Sequence, residues 1–402
     1  MSSTERVRWR RRAAVGLVVA VLGLTACTGS LPTDATTAPV SSPSSTPAPP
    51  PPPTPPPATP TADPLAGWTL EQKVAQVVMV GVKTSAPQQS SHDIVADGRV
   101  ANVFLQDRTS AGRTDVRNLV EWFTQDAPAD ATHGEPMLVA TDQEGGQVQT
   151  LRGEGFSTIP SALDQGSMSV DALRSAATVW GQELAAVGVN LDLAPVVDLP
   201  TRDGAAGNTP VGHYDRQYGY TVDDVVTHAE AFAAGLASAG VQTSVKHFPG
   251  LGRVAANTDT DSGVTDSVTG AGSDQVEVFR RAIADGASFV MVSTADYTLI
   301  DPGRSAAFSA AVIDGLLRTD LGFDGVVITD DLSAAAQVAA WAPGDRAVQA
   351  IAAGADIVLA SKDPTVMPAM VDALTERARS DPEFAARLDE AVEHVLAAKS
   401  RL

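Results

Sequence analysis

The stretch Ser244-Val245-Lys246-His247-Phe248-Pro249-Gly250-Leu251-Gly252-Arg253-Val254-Ala255-Ala256-Asn257-Thr258-Asp259-Thr260-Asp261-Ser262-Gly263 decides how the chain is read. It begins as an apolar strand and ends as a polar loop. Pro249 stops the strand because it cannot donate a ladder hydrogen bond. Gly250 and Gly252 let the backbone turn. Lys246 and His247 stand at the point of change. Lys is scarce in this chain, the others being Lys73, Lys83, Lys362 and Lys399. A snorkelling strand-end Lys beside a satisfied His is the plain alternative to a functional pair, and this stretch alone does not separate the two.

Working outward, the pattern of a strand with a polar end recurs. Short, Val-rich apolar runs lie at residues 74–82, 101–106, 137–142, 189–198, 241–248, 289–295, 325–330 and 356–360. Helical patterns separate them, among them 170–188, 222–239, 273–285 and 309–321. Gly188, Gly240, Gly286 and Gly322 fall just after helical runs, where a left-handed C-cap is needed. Near-continuous apolar strands between helices imply a parallel sheet covered on both faces. Eight such units predict an α/β fold, a single (β/α)8 TIM-type barrel, with a doubly wound sheet as the alternative. Helical patterns at 366–379 and 382–399 pack outside and close the chain.

The N-terminal part does not belong to this fold. Arg6, Arg8, Arg10, Arg11 and Arg12 precede an apolar run at 13–24 that is too short to span a bilayer stably. Leu24-Thr25-Ala26-Cys27 follows and resembles a bacterial lipobox, which implies cleavage before Cys27 and lipidation of its side chain. The alternative is an uncleaved signal anchor. Cys27 is the single Cys of the chain, so no disulfide is available and the domain depends on its core. Residues 28–64 are mostly Pro, Thr, Ser and Ala with a Pro run at 49–53, a composition that builds no core. The expected organisation is a signal peptide and lipobox at 1–27, a linker at 28–64 and a barrel domain at 65–402, exported and lipid-anchored to the outer face of the cell membrane. The formal charge of −20 argues against nucleic acid as a partner. A monomer is expected.

In a barrel of this kind, polar groups at the C-terminal ends of strands line the active site. Here those ends read Thr141-Asp142-Gln143-Glu144-Gly145-Gly146, Ala194-Pro195-Val196-Val197-Asp198, Lys246-His247-Phe248-Pro249-Gly250, Ser293-Thr294-Ala295 and Thr329-Asp330-Asp331-Leu332. One such acid is most often a helix N-cap or a solvated loop residue. Several acids and a Lys-His pair on one face point to catalysis. Alternation sends Val326, Ile328 and Asp330 to one face of their strand and Val327, Thr329 and Asp331 to the other, without saying which acid faces the barrel mouth.

Asp-Gln-Glu-Gly-Gly at 142–146, Lys-His-Phe-Pro-Gly at 246–250 and Gly-Phe-Asp-Gly-Val-Val-Ile-Thr-Asp-Asp-Leu at 322–332 resemble family 3 glycoside hydrolases, most closely the β-N-acetylglucosaminidase (β-N-acetylhexosaminidase) branch that acts on peptidoglycan fragments. The resemblance runs from about Trp68 to Asp356. It implies a retaining exo-glycosidase whose nucleophile is Asp330. It also carries sugar-binding roles over to Asp142, Lys246 and His247, and to Arg216 in Asp215-Arg216-Gln217-Tyr218-Gly219. An Arg common in the family after Gln-Glu-Gly-Gly is replaced by Thr150, and Arg152 does not inherit its role. The family's loop His residues are also missing, with Leu251 and Gly263 at those positions. Asp259 is the expected acid/base in their place, ahead of Asp261.

Other chemistries fit worse. Gly250-Leu251-Gly252-Arg253-Val254-Ala255 imitates a dinucleotide fingerprint, but a Pro precedes it and a polar loop follows. The six His residues show no paired metal-ligand spacing, and Asp259 and Asp261 lack the closing Glu of a calcium loop, so neither metal nor cofactor is expected. Two alternatives to a hydrolase stay open: a wall-tethered, non-catalytic glycan binder, and a phosphorylase of the same family acting on N-acetylglucosaminides.

Overall fold

The computed structural model describes residues 64–402. Cys27, the signal segment and the Pro-rich linker lie outside the described residues, apart from the linker's last residue, Pro64. The eight expected strands form as β1 (Val78–Lys83), β2 (Asn102–Gln106), β3 (Leu138–Thr141), β4 (Leu191–Asp192), β5 (Gln242–Phe248), β6 (Phe289–Val292), β7 (Val326–Thr329) and β8 (Val358–Ala360). Neighbours in sequence pair in parallel from β1 to β7, and β8 returns to pair with β1 through Val78↔Val358 and Val80↔Ala360. A bridge from Ile328 to Ile357 joins β7 to β8 and closes the ring. The fold is therefore the barrel and not the doubly wound alternative.

The alternation within strands sorts the core into two parts. Met79, Phe104, Leu138, Ala140, Leu191, Leu193, Phe289, Met291, Val326, Ile328, Ile357 and Leu359 fill the barrel interior. Val78, Val80, Val103, Val139, Val245, Val290 and Val327 point outward to the surrounding helices. The C-terminal helix, Pro382–Lys399, adds Val395 and Ala398 to the interior cluster. Buried Lys399 at its end donates to Gln76 Oε1 at 2.6 Å. Helices Val170–Ala185 and Val222–Ala237 follow the expected pattern, and the four capping glycines all have positive φ, between 71° and 95°.

Two expectations change. Residues 74–76 are helical, not strand, because Thr69 and Gln72 form a capping box that starts the helix Leu70–Gln76. The run 189–198 is ladder-paired only at Leu191–Asp192. Pro195 cannot donate, and beyond it Val196 and Val197 meet β5 only through a bridge to Lys246 and a Val197 N–H bond to the Lys246 carbonyl.

Candidate active site

A cavity of about 110 Å³ opens at the C-terminal ends of the strands. Its floor is apolar: Phe104, Leu193, Met291 and Leu359 from the barrel interior. Its walls hold Asp142, Arg216, Lys246, His247, Asp259, Asp330 and Lys362. A larger groove, about 390 Å³, lies on helices Val222–Ala237 and Asp274–Ala284, but its lining is mostly Ala, Gly and Val and brings no such cluster together.

The end of β5 organises the polar wall. Lys246 Nζ lies 2.6 Å from Asp142 Oδ1 and 2.6 Å from Glu144 Oε1. Glu144 also takes a two-pronged Arg216 contact, Nε to Oε2 and Nη2 to Oε1, both at 2.8 Å. Burial alone would raise the Glu144 carboxyl, but Arg216 and Lys246 outweigh it and hold it at about 2. Burial alone would likewise lower Lys246, and Asp142 and Glu144 reverse that and raise it. The cluster is thus a charged clamp at neutral pH. The reach of Asp142 and Glu144 comes from the hairpin Gln143–Gly145 with Val148–Gln149, whose bulge places Gly145 at φ 103° and Gly146 at φ 54°.

His247 turns the other way. Its Nδ1 lies 2.7 Å from Asp198 Oδ2, while Asp198 Oδ1 accepts from the N–H groups of His247 and Leu251. A carboxylate only accepts, so Nδ1 carries the proton and Nε2 is left facing Arg216 Nη2 at 3.5 Å. Arg216 itself is fixed by a bond from Nη1 to the Pro210 carbonyl at 2.7 Å.

The two adjacent acids after β7 have different surroundings. Asp331 is buried and fully used: it accepts from the N–H of Ser333, Ala334 and Ser361 and from the Ser333 hydroxyl. Asp330 continues the parity of inward-facing Val326 and Ile328. Among the described residues its Oδ1 accepts only the Asp331 N–H, at 2.8 Å, and its N–H is tied to Val292 on β6. Burial raises the Asp330 carboxyl. His247 pulls it back, and nearby Asp259 adds to the rise.

Asp259 lines the cavity, half-buried, with Oδ2 3.6 Å from Lys362 Nζ. Asp261 is exposed and accepts from the Thr260 hydroxyl. Arg152 bonds backward to the Gln149 and Gly146 carbonyls and takes no part in the cavity. Among the described residues, no group of three His, Cys, Asp or Glu is placed to hold a metal ion.

Residues 69–398 match the glycosyl hydrolase family 3 N terminal domain. The chain belongs to glycosyl hydrolase family 3. It superposes with a TM-score of 0.82, at 52% identity, on the crystal structure of a β-N-acetylhexosaminidase from Beutenbergia cavernae DSM 12333, over 83% of this chain and 99% of that one. A β-hexosaminidase of Stenotrophomonas maltophilia (strain K279a) is 32% identical over 291 residues, 70% of this chain and 82% of that protein. An uncharacterized secreted glycosyl hydrolase of Arthroderma benhamiae is 28% identical over 340 residues, 83% of this chain and 94% of that protein.

In this family 3 hydrolase the structure brings together every residue singled out for sugar contact and both candidate reacting acids. Two further residues matter that sequence reasoning gave no role. Glu144 holds both Lys246 and Arg216, and Asp198 orients His247. Their strand-end positions were the available signal.

Proposed function

We propose that the chain is a retaining exo-acting β-N-acetylhexosaminidase that releases terminal N-acetylglucosamine from cell-wall fragments. The observation that carries this reading is Asp330 in the cavity, with a carboxylate oxygen unclaimed among the described residues, beside the Asp142–Lys246–Arg216–His247 wall. The relatives' activity supports the choice of sugar.

In the first step an Asp330 oxygen attacks the anomeric carbon, and the bond to the leaving oxygen breaks with its electron pair. Asp259 gives that oxygen a proton. In the second step Asp259, now a carboxylate, takes a proton from water, and the hydroxide oxygen displaces Asp330 from the glycosyl ester. Two inversions retain configuration. Asp142, Lys246, Arg216 and His247 hold the hydroxyls of the terminal sugar, and the apolar floor lies beneath its ring. Protonation of the leaving oxygen is worth about 10²- to 10⁴-fold.

The full chain should release nitrophenol from 4-nitrophenyl N-acetyl-β-glucosaminide without added phosphate. Turnover that requires phosphate and yields a sugar 1-phosphate would establish the phosphorylase, and saturable binding without turnover would establish the glycan binder. The export reading rests on Arg6 to Cys27 and gains support from the secreted relative. Lipidation at Cys27 predicts that Cys27→Ser appears in the soluble fraction or is misprocessed. A Ser variant that stays with the membrane would mark an uncleaved anchor.

A further inference from the structure

The loop that carries Asp259 is pinned by two buried side-chain amides. Asn208 Nδ2 donates to the carbonyls of Leu251 and Val254, each at 2.7 Å, and holds the first half. Gln337 holds the second half. Its Oε1 accepts the Val264 N–H at 2.8 Å and its Nε2 donates to the Val264 carbonyl at 3.2 Å. Its own N–H donates to the Thr258 carbonyl at 3.1 Å, and the Ala336 N–H donates to the Asp259 carbonyl at 3.1 Å. Asn257 Oδ1 then turns the tip by accepting the Asp259 N–H at 2.9 Å. Gln337 is buried, so losing its two side-chain bonds to Val264 leaves unpaired groups that water does not easily serve, and the backbone bonds to Thr258 and Asp259 are then left without that second anchor.

Gln337 follows Asp330 by seven residues on the same β7 loop. One segment therefore presents the proposed nucleophile and fixes the loop that bears the proposed acid. We infer that Gln337 is a positioning residue: it holds Asp259 over the cavity before substrate arrives, at a set place relative to Asp330. This rests on the reading of Asp259 as acid/base. A proton donor placed off line by about 1 Å loses on the order of 10²-fold, and that loss matters only where the leaving group needs the proton.

The test compares wild type, Gln337→Ala, Gln337→Met and Asp259→Ala on two substrates. One is N,N′-diacetylchitobiose, whose leaving group needs protonation; the other is the 4-nitrophenyl glycoside, whose leaving group does not. In the first, glycosylation-limited step, the Gln337 variants should lose about 10- to 100-fold in kcat/KM on the disaccharide and under about 3-fold on the nitrophenyl substrate. Equal losses on both substrates would make Gln337 merely structural and overturn the proposal. If Asp259→Ala discriminates between the substrates and the Gln337 variants do not, the acid stands and the positioning role falls. If Asp259→Ala does not discriminate either, the acid reading fails and the positioning role falls with it. Should the variants not fold, hydrogen exchange on the wild-type protein decides: the Val264 amide should exchange far more slowly than those of exposed Ser262 and Gly263, and equal rates would overturn the clamp.

Discussion

At the scale of single residues, Asp330 and Asp331 show how one step along a strand changes a carboxylate's task. Both were legible as acids at a strand end, and alternation separated them. Parity could not say which of them is free to react; both touch the cavity, and the inward parity of Val326 and Ile328 with the four donors on Asp331 singles out Asp330. Asp330→Ala should therefore remove turnover by several orders of magnitude with the melting temperature nearly unchanged. Asp331→Ala should lower the melting temperature, because it strands buried N–H groups. An inactive but unaltered Asp331→Ala beside an active Asp330→Ala would reverse the assignment. As the proposed nucleophile Asp330 must be ionised, and burial raises its pKa. The sign is then fixed: activity falls as pH drops through a value above the ordinary Asp range of about 4, and kcat/KM should show its acid limb there. Glu144 shows the limit of reading from sequence. An acid in a loop is usually an N-cap, and only the folded chain shows its contacts to Lys246 and Arg216. Gln337 was less visible still, standing in Ala334-Ala335-Ala336-Gln337-Val338-Ala339 with no local signal.

At the scale of elements, the eight strands were legible because each is a short apolar run ended by a polar residue or Pro. The errors came where a local device overrode that pattern: the capping box at Thr69 and the Pro at the centre of the 189–198 run. Strand β4 carries a residue whose state no periodicity reveals. Asp192 is fully buried, its Oδ1 accepts the Gln143 N–H at 2.9 Å, and its Oδ2 has no partner among the described residues. Burial pushes its pKa up to about 8; the Gln143 N–H and Lys246 oppose this, while the neighbouring Asp142 and Glu144 carboxylates add to it. Tyr218, also buried, lies near enough to feel the Asp192 charge, while the Tyr218 hydroxyl donates to Gln165 Oε1 at 3.2 Å. The unfolded chain releases the Asp192 proton near pH 4, roughly the ordinary Asp value, while the folded chain keeps it until about 8. Its contribution to stability is thus full below about 4 and is lost as pH rises toward 8. Asp192→Asn keeps the acceptor for Gln143 and has no proton to lose. Unfolding measured at pH 5 and pH 8 should show the variant gaining on wild type at the higher pH. A difference that does not move with pH would mean that Asp192 is ionised in the folded state throughout.

At the scale of the whole molecule, a closed barrel has one seam that joins the last strand to the rest, and here it is held by charge as well as by the ladder. Asp356, fully buried just before β8, accepts the Val327 N–H of β7 at 2.8 Å and gives its own N–H to the Val327 carbonyl. Its two oxygens also receive Arg318 at 2.5 Å, Arg387 at 2.7 Å and His394 Nδ1 at 3.0 Å. Arg318 comes from the π-helix Ala311–Asp320 that precedes β7, and the other two come from the closing helix Pro382–Lys399. One carboxylate thus joins β7, β8 and two surrounding helices. Burial by itself would raise its pKa; the His394 bond and the Arg318 and Arg387 charges reverse that and lower it. Because the folded value is depressed, this stability is present above the ordinary Asp value of about 4 and is lost as pH falls through the lower folded value. Asp356→Ala takes the shared carboxylate from half-buried Arg318 and Arg387, leaving Arg387 only the Glu390 carboxylate, at 3.5 Å, among the described residues, a change that costs up to about 3 kcal/mol. Denaturant unfolding at pH 7 should show a loss of that size, with the active-site clamp unaltered in the fraction that remains folded. Asp356→Asn should lose less, since it keeps an acceptor for Val327, and should unfold less steeply than wild type as pH falls below 4. If Asp356→Ala melts as wild type does at pH 7, the hydrophobic ladder alone closes the seam and the charge cluster is a passenger.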